Sequence, residues 1–327
     1  MDRRAFLASL ALIGASGVAA AEPLARPPPG EEFEGLESLL LWPGAPPGAT
    51  AKSPSLVVTD ISSDPARFHN RALTGISEPR LFVFRAARSD GSALMLIPGG
   101  GYSEIWVDGE GFSVARYFSA QGVTAFVLVY RLPGEGWLQA PDVPLQDAQR
   151  AMRLIRGGAA GFGVDPDRIG AMGFSAGGHI AASLATRFDA RVYEPGDASD
   201  GLTARPAFAA MLYPVITMLP PFAHEASRMM LLGTTPSTAL RAAYSCERLI
   251  GPDTPPCFLG HALDDPDVPP ENTLMFGAAL RSAKVPSEMH LFERGGHGFA
   301  LGTPGAPDSM WPDLLAAWAR GRGFLSA

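Results

Sequence analysis

Cysteine, lysine and long apolar runs are all scarce in this 327-residue chain, and each scarcity excludes something. Two cysteines, Cys246 and Cys257, are too few for a disulfide framework or a four-ligand zinc site. Two readings stay open for them: a pair that bridges after export, or two buried small hydrophobes. Only Lys52 and Lys284 are lysines, so nearly all the basic residues are arginine, which reads as genome composition rather than function. Acids outnumber bases, 33 Asp+Glu against 26 Lys+Arg, for a net charge of −7 with no basic run. That balance argues against a nucleic-acid partner, whose affinity would rest on neutralised phosphates. Disorder is excluded as well, because 46% of the residues are hydrophobic and only 18% charged. The length suits one large α/β domain or two small ones, with a full-sized core.

The N-terminus reads as an address. Asp2-Arg3-Arg4-Ala5-Phe6-Leu7 leads into a mildly apolar stretch over 7–18 and then Ala19-Ala20-Ala21-Glu22. A charged head, a short apolar middle and an A-x-A exit make residues 1–21 a secretory signal, too short and too weakly apolar to stay in a bilayer. Arg3-Arg4 followed by Phe6-Leu7 resembles the bacterial twin-arginine signal; an ordinary Sec signal carrying two arginines is the alternative. Cleavage after Ala21 leaves 24 bases and 32 acids, a net of −8. No later segment approaches about 18 consecutive apolar residues, so the expected product is exported, periplasmic or secreted, with no membrane partner.

Residues 22–50 follow as a Pro/Gly-rich linker, with Arg26-Pro27-Pro28-Pro29-Gly30 stiff and extended and Trp42-Pro43-Gly44-Ala45-Pro46-Pro47-Gly48 rich in turns. Residues 51–327 read as one domain. Strands are expected at 81–84, 93–97, 123–130, 168–173, 208–213, 257–260 and 288–292, several apolar throughout, as in a parallel sheet covered on both faces. Helices are expected at 111–120, 145–160, 176–186, 271–283 and 312–320. This alternation points to a doubly wound, mostly parallel α/β sheet. Residues 215–251 interrupt the rhythm between the strands near Tyr213 and Cys257, as a small excursion or cap; an ordinary long connection is the alternative. No signal of oligomeric state is present.

The chemistry concentrates in a few segments. Ile169-Gly170-Ala171-Met172 runs into Gly173-Phe174-Ser175-Ala176-Gly177-Gly178-His179 and then an alanine-rich helical stretch. This is G-x-S-x-G at a strand–turn–helix junction, where a strained turn holds the Ser175 hydroxyl clear of its neighbours. The Ala176 N–H, at the positive end of the helix, then points at the oxygen of a bound carbonyl. A second strand ends at Pro98-Gly99-Gly100-Gly101-Tyr102, where consecutive glycines let backbone N–H groups approach a ligand. Gly100, Gly101 and Ala176 are the candidate oxyanion donors. Lipases and esterases with an H-G-G-G run have His where this chain has Pro98, which counts against a hormone-sensitive-lipase-like assignment.

A serine needs a base. Of six histidines, His297 in Gly295-Gly296-His297-Gly298-Phe299 follows the last expected strand, where the chain order Ser…Asp…His of α/β-hydrolases places the base. His261 is the runner-up, while His179 and His290 read as structural. The acid lies in His261-Ala262-Leu263-Asp264-Asp265-Pro266-Asp267-Val268-Pro269, where Asp264, Asp265 and Asp267 all compete. A calcium loop does not fit that run, which lacks the position-six glycine and carries Pro266. No cofactor or metal is called for.

With these motifs assembled, the chain resembles the α/β-hydrolase esterases, above all the bacterial acetyl-xylan esterase and feruloyl/acetyl esterase-like group. The resemblance covers roughly 41–318 and rests on the segments already quoted together with Leu41-Trp42-Pro43-Gly44, Glu110-Gly111 and Ser227-Arg228. It implies an acyl ester of a plant-polysaccharide sugar as substrate, acetyl before feruloyl. It also favours Asp265 as the acid, because D-x-x-V-P is a recurring form of this loop in such hydrolases; Asp267 ranks second and Asp264 third. Tyr102, Trp106, Glu110 and Arg228 are the candidate substrate contacts. From the residues alone, Glu110 serves equally as a helix cap, Tyr102 and Trp106 as core aromatics, and Arg228 as a surface residue. Peptidase, short-chain lipase and inactive carbohydrate-binding homologue are the competing readings.

Overall fold

The computed structural model describes Phe33 and residues 35–326, so the signal at 1–21 and the first part of the linker lie outside the described residues. Eleven strands form two sheets among those residues. The larger has eight strands in the order β1 (Ser38–Leu40), β4 (Arg80–Phe84), β7 (Thr124–Val129), β5 (Ala93–Ile97), β8 (Ile169–Phe174), β9 (Ala209–Leu212), β10 (Cys257–Ala262) and β11 (Ser287–Phe292). From β7 to β11 every pairing is parallel, and β4 and β1 close the other edge antiparallel. The smaller sheet joins β2 (Val57–Asp60), β3 (Arg71–Thr74) and β6 (Ile105–Trp106).

The expected strands all form, with boundaries shifted by a few residues. In β5, β7, β8, β9 and β10 every residue is buried, because helices cover both faces of a parallel sheet. Alternation along β8 shows the two faces. Phe174 points to Trp311 at the start of helix Trp311–Arg320, ring centroids 6.0 Å apart, while the hydrogens of Gly173 meet helix Ser175–Thr186 on the other side.

Two expectations need correction. Residues 38–50 are not linker: β1 pairs with β4, Leu41 is fully buried, and the Trp42 indole N–H donates to Asp147 at 2.8 Å. Three residues are too few to show a strand period, so turn-rich composition hid the element. The helix expected at 111–120 begins instead as a π-helical turn over Asp108–Ser113 and becomes α-helical at Val114–Ser119.

The excursion at 215–251 carries two short helices, Glu225–Leu232 and Thr238–Ala243, and a 3₁₀ turn at Cys246–Arg248. It is tied to the core through Asn272, whose carbonyl oxygen accepts the N–H groups of Ile216 and Thr217 at 2.9 and 3.0 Å. Cys246 and Cys257 are free thiols, both buried, in line with the hydrophobe reading rather than the bridge.

At the end of β7 the fully buried Arg131 meets the fully buried Asp147 of helix Val143–Gly157, 2.7 Å apart. Asp147 also accepts the Arg131 backbone N–H at 2.9 Å, and Arg131 donates to the Pro47 carbonyl at 2.5 Å. One ion pair thus joins the N-terminal segment, the sheet and a helix.

Candidate active site

Ser175 has a backbone φ of 52°, in the left-handed region, directly after the last residue of β8. Small neighbours make this turn possible. A Cβ on Gly177 would run into the Ile97 carbonyl, and one on Gly173 into the Gly177 carbonyl, so helix and strands approach too closely for a side chain.

His297 faces the serine, with Nε2 2.8 Å from Ser175 Oγ. Its Nδ1 lies 2.7 Å from Asp265 Oδ2. The tautomer that fits donates Nδ1–H to the carboxylate and leaves Nε2 to accept the serine proton. The Asp265 side chain is fully buried, and its Oδ1 accepts the N–H groups of Asp267 and Val268, each at 2.9 Å. Burial pushes that carboxyl up, but hydrogen bonds from His261 and His297 and from the Val268 N–H win and hold it well below the usual carboxylate range. For His297 burial works to lower the pKa, yet the bond and charge of Asp265, aided by Glu110 and Asp267, raise it above the ordinary histidine value.

The other members of the acid loop have separate tasks. Asp264 accepts the Gly296 N–H at 2.8 Å and so ties the acid loop to the histidine loop. Asp267 offers its backbone N–H to Asp265. His261 is fully buried, with Nε2 3.1 Å from both Asp265 Oδ2 and the Val268 carbonyl and Nδ1 2.7 Å from Thr273 Oγ1. It supports the acid from behind, a role missed in the sequence although its position four residues before Asp265 was the available signal.

The glycine loop faces the nucleophile: a Cβ on Gly99 would stand 2.8 Å from Ser175 Cβ. Gly100 has φ 131°, and a Cβ there would strike the Glu104 carbonyl, so only glycine closes this turn. The Gly100 carbonyl is taken by the N–H groups of Ser103 and Glu104, at 3.0 and 3.1 Å. Gly99 is thus the glycine that stands against Ser175, with Gly100 and Gly101 following it in the loop and Ala176 second in the serine's helix.

The four candidate substrate contacts separate. Tyr102 is 1% exposed and shares a 2.6 Å hydrogen bond between its hydroxyl and His179 Nδ1, so its ring is not available to stack on a sugar. Its backbone φ of 63° turns the side chain inward from the loop. His179, whose Nε2 meets the Tyr244 carbonyl at 2.7 Å, is structural as expected, and burial lowers its pKa to about 4. Arg228 is 4% exposed and committed to Glu225 and the Gly233 carbonyl, which removes it as a substrate contact. Its neighbour Ser227 does reach the site: Ser227 Oγ lies 3.9 Å from where a Gly101 Cβ would stand, and it binds His224 Nδ1 at 2.8 Å. Trp106 is half-buried beside the Glu104 carboxyl, and its backbone N–H donates to the Gly99 carbonyl at 3.1 Å. Glu110 is buried, accepting the Gly99 N–H at 2.6 Å and the Tyr213 hydroxyl at 2.9 Å.

A separate cleft of about 510 Å³, lined by Trp42, Gln139, Arg191 and Tyr193, contains none of these groups. Among the described residues no group of three or more His, Cys, Asp or Glu is placed to hold a metal, and no helix is long and apolar enough to cross a membrane.

Comparison with known proteins agrees with this architecture. The BD-FAE family profile matches residues 82–280, from β4 through the helix that follows the acid loop. The chain belongs to the BD-FAE family. The chain shares 36% identity over 233 residues with endo-1,4-beta-xylanase B of Butyrivibrio fibrisolvens, an alignment over 69% of this chain and 36% of that protein. Acetylxylan esterase of Xylanibacter ruminicola is 30% identical over 236 residues, 71% of this chain and 46% of the relative. The chain therefore spans between about a third and a half of the length of these curated relatives. Among solved structures, the acetyl ester-xyloside bifunctional hydrolase of Caldicellulosiruptor lactoaceticus superposes with a TM-score of 0.69 at 33% identity, over 86% of this chain and 99% of that one. The BD-FAE chain thus has the α/β-hydrolase fold, with its parallel sheet and the elbow at the end of β8.

Proposed function

We propose that the protein is a serine carboxylic-ester hydrolase that removes acyl groups, acetyl first, from a carbohydrate ester such as acetylated xylan. The observation that carries the reading is the continuous relay from Ser175 Oγ to His297 Nε2 at 2.8 Å and from His297 Nδ1 to Asp265 at 2.7 Å, set on an elbow that faces the glycine loop. The similarity to an acetylxylan esterase and to an acetyl ester-xyloside hydrolase supports an acetylated sugar as substrate.

In this reading Ser175 attacks the ester carbonyl while His297 takes its proton, and Asp265 holds the imidazole tautomer and stabilises the imidazolium. The N–H groups of Gly100, Gly101 and Ala176 receive the developing oxyanion, each donor worth about 2.7–4 kcal/mol. His297 then protonates the departing sugar oxygen, which leaves as the hydroxyl. Water enters, gives a proton to His297 and attacks the acyl-serine, and His297 returns that proton to Ser175 Oγ as the acid is released. Trp106 is the aromatic left open beside the glycine loop for the sugar. The protein acts outside the cytoplasm, after removal of residues 1–21.

The test is hydrolysis of p-nitrophenyl acetate, butyrate and octanoate and of a prolyl-p-nitroanilide by the chain from Glu22 onward, with acetate release from acetylated xylan followed in parallel. Ser175→Ala should lower kcat by on the order of 10⁶. Preference for octanoate or cleavage of the anilide would replace this reading, as would more than a few per cent of activity in the folded Ser175→Ala variant.

A further inference from the structure

A second buried carboxylate stands at the site, and the mechanism above gives it nothing to do. Glu110 sits in the π-helical turn Asp108–Ser113, and such turns interrupt a helix where a side chain must be redirected. Its Oε2 accepts the Gly99 N–H at 2.6 Å and its Oε1 accepts the Tyr213 hydroxyl at 2.9 Å. The Tyr213 oxygen in turn accepts the Ala300 N–H at 3.1 Å. These bonds form an unbroken chain from the first residue of the glycine loop to the third residue after His297. We propose that Glu110 and Tyr213 are positioning residues that brace the glycine loop against the histidine loop and hold a fixed negative charge toward His297. This inference rests on the triad reading.

Two observations set the protonation and the reach of that charge. Each carboxylate oxygen accepts a hydrogen bond, Oε2 from the Gly99 N–H and Oε1 from the Tyr213 hydroxyl. An ionised carboxylate suits these two donors, although burial outweighs them and leaves the Glu110 pKa above the ordinary glutamate value. Gly99 alone separates the carboxylate from the nucleophile: a Cβ there would stand 2.9 Å from Glu110 Oε2 and 2.8 Å from Ser175 Cβ. Tyr213 packs edge-on against His297, ring centroids 5.1 Å apart, and so orients the base directly. The other titratable groups facing His297 are Asp265, Asp267 and His224, and those facing Glu110 are Tyr130 and Tyr213.

Two variants separate charge from brace. In Glu110→Gln the amide oxygen still takes the Gly99 N–H and the amide N–H₂ faces the Tyr213 oxygen, so the brace survives and the charge is lost. The acid limb of the kcat/KM profile for p-nitrophenyl acetate should move down by about one pH unit, with kcat about tenfold lower and KM little changed. Tyr213→Phe keeps ring and charge but cuts the link to Ala300, and should lower kcat about tenfold with the acid limb almost in place. Thermal melts confirm that each variant is folded. A merely structural role for Glu110 would lower the melting temperature and leave the limb where it was. The proposal is overturned by a folded Glu110→Gln with an unmoved limb, or by both variants within about twofold of the parent. Ser175→Ala is assayed beside them: activity surviving there removes the triad reading itself, whereas a dead Ser175→Ala with a normal Glu110→Gln removes only this inference.

Discussion

Asp147→Asn removes the charge opposite Arg131 while keeping the shape of the side chain. Neither partner is exposed to solvent, so the arginine is left ionised in a dry interior. Breaking a buried pair costs about 3–5 kcal/mol, and the Trp42 indole N–H and the Arg131 backbone N–H, which also end on Asp147, keep the loss from falling below that range. A domain of this size has an unfolding entropy of about 0.6 kcal/mol per kelvin, so 4 kcal/mol corresponds to a melting temperature lower by about 7 °C. Replacing both partners by apolar residues of similar volume, Arg131→Met with Asp147→Leu, should recover part of that loss, because no buried charge remains while the Trp42 and Arg131 N–H groups lose their acceptor. The half-exposed Arg85–Glu37 pair is the internal control, and Glu37→Gln should move the melt by about 1 °C or less. Calorimetry on the four proteins decides the matter, with ester hydrolysis at 25 °C expected within about twofold throughout. A double variant no more stable than Asp147→Asn would refute the reasoning, since the loss would then lie in packing rather than in an unpaired charge.

Further outcomes follow from the site and its surroundings. The raised pKa of His297 requires the activity to fall on the acid side through a value above the ordinary histidine pKa of about 6.5, because only the neutral imidazole accepts the serine proton. A kcat/KM profile still flat at pH 6 contradicts this. His261→Asn removes the support behind Asp265 without touching the serine or its base; kcat should drop by about tenfold at unchanged KM, and single-turnover kinetics would show the loss in acylation. Both thiols are buried, and burial pushes Cys246 up to about 12 and Cys257 higher still. Ellman's reagent at pH 8 should therefore titrate neither cysteine in the native protein and two after denaturation in guanidinium; rapid native labelling of either would contradict the packing.

The elbow and the histidine loop were legible in the sequence because their residues answer to local steric demands. Gly173 and Gly177 stand where the backbone of another element would meet a side chain, and a glycine that has to be glycine leaves a mark in the sequence. Five of the six parallel strands were legible because burial on both faces makes them largely apolar. What escaped depends on partners distant in the chain. Nothing around Tyr213 indicates that its hydroxyl will meet Glu110, 103 residues away, or the Ala300 N–H, 87 away. Sequence left Tyr102 open between a sugar contact and a core aromatic for a related reason: adjacency to the glycines fixes where the residue is but not which way its ring points, and the ring is buried. Arg228 was a candidate contact, yet it is its neighbour Ser227 whose hydroxyl faces the glycine loop.

Among the described residues six non-glycine residues have positive φ, at Tyr102, Gln139, Ser175, Tyr213, Lys284 and Ala300, and four of these ring the candidate site. A left-handed conformation costs an ordinary residue about 1–2 kcal/mol, so those four together forgo a sum comparable with the whole net stability of a typical domain. The tension is localised where the serine, its base and the glycine loop meet, while the remainder of the sheet is relaxed. Selection for stability and selection for turnover therefore pull in opposite directions at these positions. Glycine at Ser175 or at Ala300 should raise the melting temperature, and the first of these would do so by removing the proposed nucleophile.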